Sequence, residues 1–170
     1  MVNNSPPNFV DVFGLYGIGY TIAASAEVGV GFHGAAATGA GGMGLFYDRK
    51  ESFGSMPINA GGWLAHGEMA RWGKHVAQHP CPGELDEPQV PWVMGADAGG
   101  IGEGIFFTNA DSAAELDGPF RQWNFITPMF SFSWGMSKGT QGTTFIASLT
   151  IGPSAGFGVS AYPTTTKTFP

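Results

Sequence analysis

Hydrophobic and small residues alternate along Tyr16–Phe32, and this pattern predicts a β-strand with two chemically different faces. Even-numbered positions are apolar, whereas odd-numbered positions carry glycine, alanine, small hydroxyls and one acid, Glu27. A helix is disfavoured because each glycine would cost it about 1 kcal/mol relative to alanine. The same alternation returns at residues 101–107, 130–137 and 154–161. The pattern therefore predicts an all-β fold, an antiparallel Gly/Ser-rich barrel or sandwich of about six to eight strands.

Residues 48–99 have a different composition, since they hold eleven of the twenty charged side chains. Trp63–Gln78 is the best helix candidate, and His79-Pro80 would end that helix. We expect residues 1–15 to be a linker and residues 16–170 to be a single domain. Within this domain, residues 48–99 are predicted to be a helix-containing insertion. A transmembrane helix within residues 16–47 is the competing interpretation, which the Gly-x-Gly spacings disfavour.

Composition removes several function classes. Charged residues make up only 12% of the chain, the net charge is −6, and the seven basic residues are scattered. Nucleic-acid binding is therefore excluded, because it needs clustered Lys and Arg. A single cysteine, Cys81, allows no internal disulfide. The N-terminal residues lack the basic and apolar regions of a signal peptide.

The alternating strands fit two environments. In a transmembrane barrel the bulky faces meet lipid and the small faces line the inside. In a soluble barrel or sandwich the bulky faces fill the inside instead. The ordinary mean hydropathy of the chain favours the soluble form, with membrane insertion as a second state.

The insertion contains a candidate metal site. His75 and His79 would lie one turn apart on a helix, followed by Cys81, and imidazole and thiolate are zinc ligands. His66 or His75 beside Cys81 would alternatively form a nucleophile pair. The chain has no His-Glu-x-x-His or Cys-x-x-Cys motif, so exposed histidines beside a loop remain the alternative. Zinc is the only cofactor that these residues imply.

Carboxylates form a second candidate set. Glu27 stands alone on a glycine face, so it must meet water, a basic partner or a lumen. An acidic group later in the chain lies close to a strand end, where acid–base chemistry is conceivable. Turns and helix caps explain two of its aspartates equally well. The group consists of Glu103, Asp111, Glu115 and Asp117, with Arg121 nearby.

The run Asn8–Leu15 (Asn-Phe-Val-Asp-Val-Phe-Gly-Leu) resembles the motif that closes the core of rearrangement-hotspot (Rhs/YD-repeat) proteins. In that family the motif joins a large β-shell to a variable C-terminal toxin, and cleavage follows its Leu. The resemblance implies that Asp11 is the cleavage aspartate, Gly14 the turn glycine and Leu15 the last shell residue. Val12 departs from the pattern, which usually has Pro there.

This resemblance implies a C-terminal effector domain of a polymorphic toxin, delivered into a target cell by a specialised secretion system. Its implied partners are the Rhs shell of the same polypeptide and a cognate immunity protein. The amphipathic strands favour action on the target membrane. The alternatives are an enzymatic toxin with a His/Cys site in residues 48–99, and a non-catalytic β binding module.

Overall fold

The computed structural model describes residues 15–30, 33–47, 58–72, 75–77, 91–139 and 142–170. These residues form nine strands and one short 3-10 turn at Ala113–Leu116. All strand pairs are antiparallel. The strands are β1 (Gly17–Val30), β2 (His33–Tyr47), β3 (Ile58–Trp72), β4 (His75–Ala77), β5 (Trp92–Thr108), β6 (Gly118–Ile126), β7 (Phe130–Gly139), β8 (Gly142–Ile151) and β9 (Phe157–Phe169).

Eight of the strands close into a barrel. Their order is β2-β1-β5-β8-β7-β6-β9-β3, and the pairing of β3 with β2 completes the ring. The ninth strand, β4, extends only the edge of β3. Closure pairs the wall strands with one another and leaves no long unpaired edge. The prediction of an all-β antiparallel barrel is confirmed.

The predicted helix over Trp63–Gln78 is wrong. Residues 58–72 form β3, which pairs with β2 along its length and with β9 over residues 62–66. Trp63, Gly67 and Met69 point inward, whereas Leu64 and His66 point outward, which is a period of two. Small residues weaken this alternation in the sequence, and glycine penalises the helix that would compete with it.

The alternative of a transmembrane helix within residues 16–47 is also wrong, because β1 and β2 form a long antiparallel pair there. Within the described parts of the chain, no helix is long and apolar enough to cross a membrane.

Strand β5 changes its neighbour along its length. Residues 103–108 pair with β8, whereas Trp92–Ala96 pairs with the start of β9. Between these segments the register against β1 shifts opposite Ala26. Gly95 and Gly99 have φ of +130° and +111°, a region that favours glycine. The bulge reverses the side-chain alternation of β5, so that Asp97 and Gly104 both lie on the inner face.

Apolar clusters occupy both ends of the barrel interior. At the end where β1 begins, the 3-10 turn and the segment before it pack Ala110, Ala113 and Leu116 inside the ring. Their neighbours are the aromatic side chains of Phe46, Trp63, Phe106 and Phe120. The opposite end holds a smaller cluster of Ala36, Met69, Val93 and Tyr162. The interior is therefore a packed core with polar side chains between two apolar ends.

Candidate functional site

The outer surface of the barrel is covered by large apolar side chains. Several are more than two thirds exposed, including Val30 at 78%, Met43 at 68% and Ile151 at 68%. The expectation that bulky faces fill the inside is therefore wrong. We call these eighteen exposed side chains the apolar belt: Ile18, Tyr20, Ile22, Val28, Val30, Met43, Leu45, Met94, Ile101, Ile105, Phe125, Phe130, Phe132, Trp134, Leu149, Ile151, Phe157 and Val159.

The strands are long enough for the belt to cross a bilayer. A tilted transmembrane strand needs about 9–11 residues. Every wall strand meets this length, from nine residues in β6 to seventeen in β5. On β1 the belt runs from Ile18 to Val30. At about 3.3 Å per residue and a tilt of about 45°, this distance corresponds to roughly 28 Å along the barrel axis, close to the hydrocarbon thickness.

The inner faces of the same strands carry small hydroxyl side chains. Ser131 and Ser133 of β7 lie 2.6 Å from Thr150 and Ser148 of β8, respectively. On the neighbouring strands β6 and β9, Asn124 accepts a hydrogen bond from Gln122 at 2.6 Å and donates one to Ser160 at 3.3 Å. These contacts satisfy polar groups that are removed from solvent. The barrel is therefore polar inside and apolar outside along most of its circumference.

One part of the wall departs from this arrangement. Where β3 meets β9, the outer face carries His66 and Glu68 on β3, with Thr165 and Lys167 on β9. His66, Glu68 and Lys167 are exposed. We call these four residues the polar seam. On β3 the inner face holds Trp63 and Met69, whereas the outer face is apolar at Leu64 and polar at His66 and Glu68. The strand is therefore polar outside and apolar inside only over residues 66–69.

Two carboxylates of the wall strands lie inside the barrel, in addition to the buried Asp111 before the 3-10 turn. Glu27 of β1 and Asp97 of β5 are register partners and are 3% and 4% exposed. The Glu27 carboxylate is hydrogen-bonded by Ser160. Asp97 Oδ1 accepts hydrogen bonds from Ser154 Oγ at 2.6 Å and from the backbone N–H of Ala155 and Gly99. Sequence reasoning singled out Glu27 but missed Asp97, because the bulge that turns it inward has no alternation signal.

The structure describes only part of the predicted His/Cys site. His66 lies exposed on the outer face of β3. His75 begins β4, so the helical spacing that was expected to join it to His79 is wrong. His79 and Cys81 lie outside the described residues. Within the described ranges, no group of three or more His, Cys, Asp or Glu side chains could hold a metal ion.

The later acidic group serves local structure. Glu115 accepts a hydrogen bond from the backbone N–H of Asp111 at 3.0 Å. Asp117 follows the 3-10 turn, and its N–H donates to the Ala114 carbonyl at 3.2 Å. The Arg121 guanidinium lies 4.9 Å from the centre of the Trp123 ring, a cation–π contact. Glu115 thus supports the 3-10 turn, whereas the hydrogen bonds cited for Asp111 and Asp117 come from their backbone N–H groups, and the N-cap residue Ser112 makes no side-chain cap bond.

Glu103 is placed differently from the rest of that group. It points outward within the apolar belt and accepts a 2.6 Å hydrogen bond from the Tyr20 hydroxyl. Of the residues predicted at the cleavage junction, Asp11 and Gly14 lie outside the described residues, while Leu15 directly precedes the barrel and is half-buried.

Comparison with protein-family models, with curated proteins and with solved structures finds no match to this chain.

Proposed function

We propose that this chain is the C-terminal effector module of an Rhs-type polymorphic toxin and that its barrel inserts into the membrane of the target cell. The apolar belt is the observation that carries the membrane part. The resemblance at Asn8–Leu15 supports the toxin origin, the delivery route and the immunity protein. The two parts rest on separate observations and are tested separately.

The size of the belt favours lipid over water. A monomeric soluble protein seldom exposes a contiguous apolar patch above a few hundred Å². A fully buried large apolar side chain contributes about 1.5–3 kcal/mol, so a half-exposed one would gain about 1 kcal/mol on entering hydrocarbon. For the eighteen side chains of the belt, the gain is on the order of 20 kcal/mol. This gain exceeds the usual stability of a folded domain, about 5–15 kcal/mol.

The charged group within the belt does not outweigh this gain. A carboxylate on a lipid-facing strand costs less than the 2–4 kcal/mol, roughly, of a basic residue at the midplane. The Tyr20 hydroxyl donates to Glu103 and replaces part of its lost hydration. The net balance therefore still favours insertion.

The packed interior determines what kind of membrane damage we expect. Eight strands enclose just enough room for side chains, and both ends hold apolar clusters. A single folded barrel therefore offers no wide aqueous channel. We infer that toxicity arises from insertion and small-ion leakage, which dissipate the membrane potential without releasing large solutes.

The polar seam favours a second candidate, a non-catalytic binding module. A partner protein that covers the apolar belt and leaves the polar seam in water would also give each region a suitable environment. The Rhs shell or the immunity protein would be that partner. The enzymatic alternative depends on His79 and Cys81, which lie outside the described residues, and no contact among the described residues favours it.

Vesicle flotation tests the membrane proposal. The purified chain, diluted from detergent into anionic phospholipid vesicles, should float with them and release K⁺ while retaining a large dextran. Remaining at the bottom of the gradient as a detergent-free monomer would refute insertion. Co-release of the dextran would refute the filled barrel.

Expression tests the toxin proposal separately. Periplasmic or cytoplasmic production should arrest growth with loss of membrane potential, and the adjacent downstream gene product should restore growth. Normal growth in both compartments, despite flotation in vitro, would leave a membrane protein that is not a toxin.

A further inference from the structure

The pair Glu27 and Asp97 stands out among the buried side chains. The two residues are register partners on β1 and β5, and both point into the barrel. They are 3% and 4% exposed, so neither carboxylate reaches bulk water. Burial, together with the Asp97 charge, raises the pKa of Glu27. Two facing carboxylates at this depth repel each other, and either a proton or a bound cation offsets that repulsion.

Each carboxylate has one oxygen without a hydrogen-bond partner among the described residues. Asp97 Oδ1 accepts three hydrogen bonds, whereas Oδ2 has no partner among the described residues. Ser160 hydrogen-bonds to Glu27, but Glu27 Oε1 is likewise without a partner there. Native structures leave few such atoms, and a bound water or ion is a common explanation for them.

The side chains that the structure describes provide no buried cation. The buried polar and charged residues among them include Thr, Ser, Asn, Gln, Asp and Glu, but no Lys, Arg or His. Of the basic residues on β6 and β9, Arg121 lies against the Trp123 ring and Lys167 is exposed. No described basic side chain therefore neutralises Glu27 and Asp97 inside the barrel.

The surroundings of the two acids supply further oxygen atoms. The Tyr162 hydroxyl is in hydrogen-bonding contact with Thr38, Asn124 and Ser160. The Tyr162 side chain is also close enough to Glu27 to interact with its charge. Glu27 Oε1 lies over Gly158, where a Cβ would overlap it. Glycine at this position thus makes space for the carboxylate, and the buried polar side chains that the structure describes offer mainly oxygen ligands.

We propose that Glu27 and Asp97 hold a hard divalent cation of the Ca²⁺ class inside the barrel, with hydroxyl oxygens completing its shell. Ca²⁺ takes carboxylate and neutral oxygens in flexible geometry, whereas Zn²⁺ prefers nitrogen and sulfur. Two carboxylates are few for such a site. The dissociation constant should therefore fall at about 10⁻⁴–10⁻³ M, the weak end of protein calcium sites. The cation would tie β1, β5 and β9 together where β5 changes its neighbour.

Thermal unfolding of the full chain in detergent at neutral pH tests this site. Millimolar CaCl₂ should raise the unfolding temperature by about 2–6 °C relative to EDTA. The rise should disappear in both Glu27→Gln and Asp97→Asn, and it should persist in Asp117→Asn, which removes an exposed carboxylate. Calorimetric titration of the wild-type chain with CaCl₂ measures the affinity independently.

Two results would overturn the proposal. No calcium response in the wild-type chain would do so even if both variants failed to fold. An equal response in the Glu27→Gln or Asp97→Asn variant would assign the calcium effect to another site. A wild-type chain without a response, combined with a more stable Glu27→Gln variant, would mean that the two acids share a proton instead.

Discussion

The β7–β8 hairpin and the polar seam belong to one barrel, yet they face their surroundings in opposite ways. The hairpin exposes Phe132, Trp134 and Leu149 and keeps Ser133 and Ser148 inside. The β3 side of the seam exposes His66 and Glu68 and keeps Trp63 and Met69 inside. The hairpin thus has the arrangement of a membrane barrel, and this side of the seam has that of a soluble one.

This difference shows that closure of the ring and the surroundings of its wall are determined by different parts of the chain. Backbone pairing closes the ring in both regions, and it does not depend on which face is apolar. The side chains then decide what each part of the wall contacts. A barrel with this distribution would face lipid along most of its circumference and would need a polar neighbour at β3 and β9. A second copy, or another segment of the chain, would meet that need.

The largest expected effect on stability comes from Trp63, which lies on the inner face of β3 behind the polar seam. Trp63→Ala should lower the free energy of unfolding in detergent by about 3–5 kcal/mol, because it removes a buried indole. Trp63 is 3% exposed and makes an edge contact with Phe106 at 5.6 Å. Urea unfolding followed by circular dichroism measures the loss. His66→Ala on the outer face should change stability by less than about 0.5 kcal/mol. Equal losses would show that β3 is not oriented as described.

The next effect tests the hairpin's outer face. Leu149→Arg places a charge among Ile105 and Phe132 in the belt and should cost about 2–4 kcal/mol in the membrane. Vesicle partitioning should fall by about 30- to 700-fold. Thr143→Arg, on the same face of β8 near its hairpin end, is the matched control and should partition like the wild type. Normal partitioning of Leu149→Arg would remove β8 from the lipid surface.

The hairpin's inner face should respond to added bulk. Ser148→Leu inserts a large side chain at a position that is 5% exposed and removes the partner of Ser133. Overpacking costs about 1–3 kcal/mol, so the urea midpoint in detergent should drop. Ser148→Ala keeps the volume small and should lose only about 1 kcal/mol. A Leu variant as stable as the Ala variant would indicate an open lumen rather than a packed interior.

The smallest effect concerns the acid within the belt. Tyr20→Phe removes the hydroxyl that donates to Glu103 and should reduce vesicle partitioning by about tenfold. Adding Glu103→Gln should restore partitioning, because the exposed charge is then gone. If the single variant partitions normally, Glu103 lies at the interface and not among the lipid chains.

The sequence predicted the strands best where bulky and small residues contrast strongly. Tyr16–Phe32 and residues 130–137 correspond to β1 and β7 for this reason. Strand β3 was missed because Ala65, His66 and Gly67 give a weak contrast that also suits a helix. The bulge at Ala98–Gly99 was missed because it interrupts the alternation without a characteristic residue pattern.

Alternation also leaves the direction of the faces undetermined. It groups Ile18 with Ile22 and Gly17 with Thr21, but either group satisfies a period of two when placed inside. The direction follows from barrel size, since eight strands have little room for two layers of bulky side chains. Closure of the barrel depends on the pairing between β2 and β3. The residues that join these two strands show no strand pattern in the sequence, so the sequence did not indicate this pairing.

Lipid quenching on the two faces of β8, with a reference position on β9, tests the central claim most directly. In a Cys81→Ser background, single cysteines at Ser148, Leu149 and Lys167 would carry a small fluorophore, in vesicles containing spin-labelled lipid. The account predicts strong quenching at Leu149, weak quenching at Ser148, and accessibility of the Lys167 label to an aqueous quencher. Equal lipid quenching at Ser148 and Leu149, or aqueous quenching at Leu149 in vesicle-bound protein, would contradict an apolar belt that faces lipid.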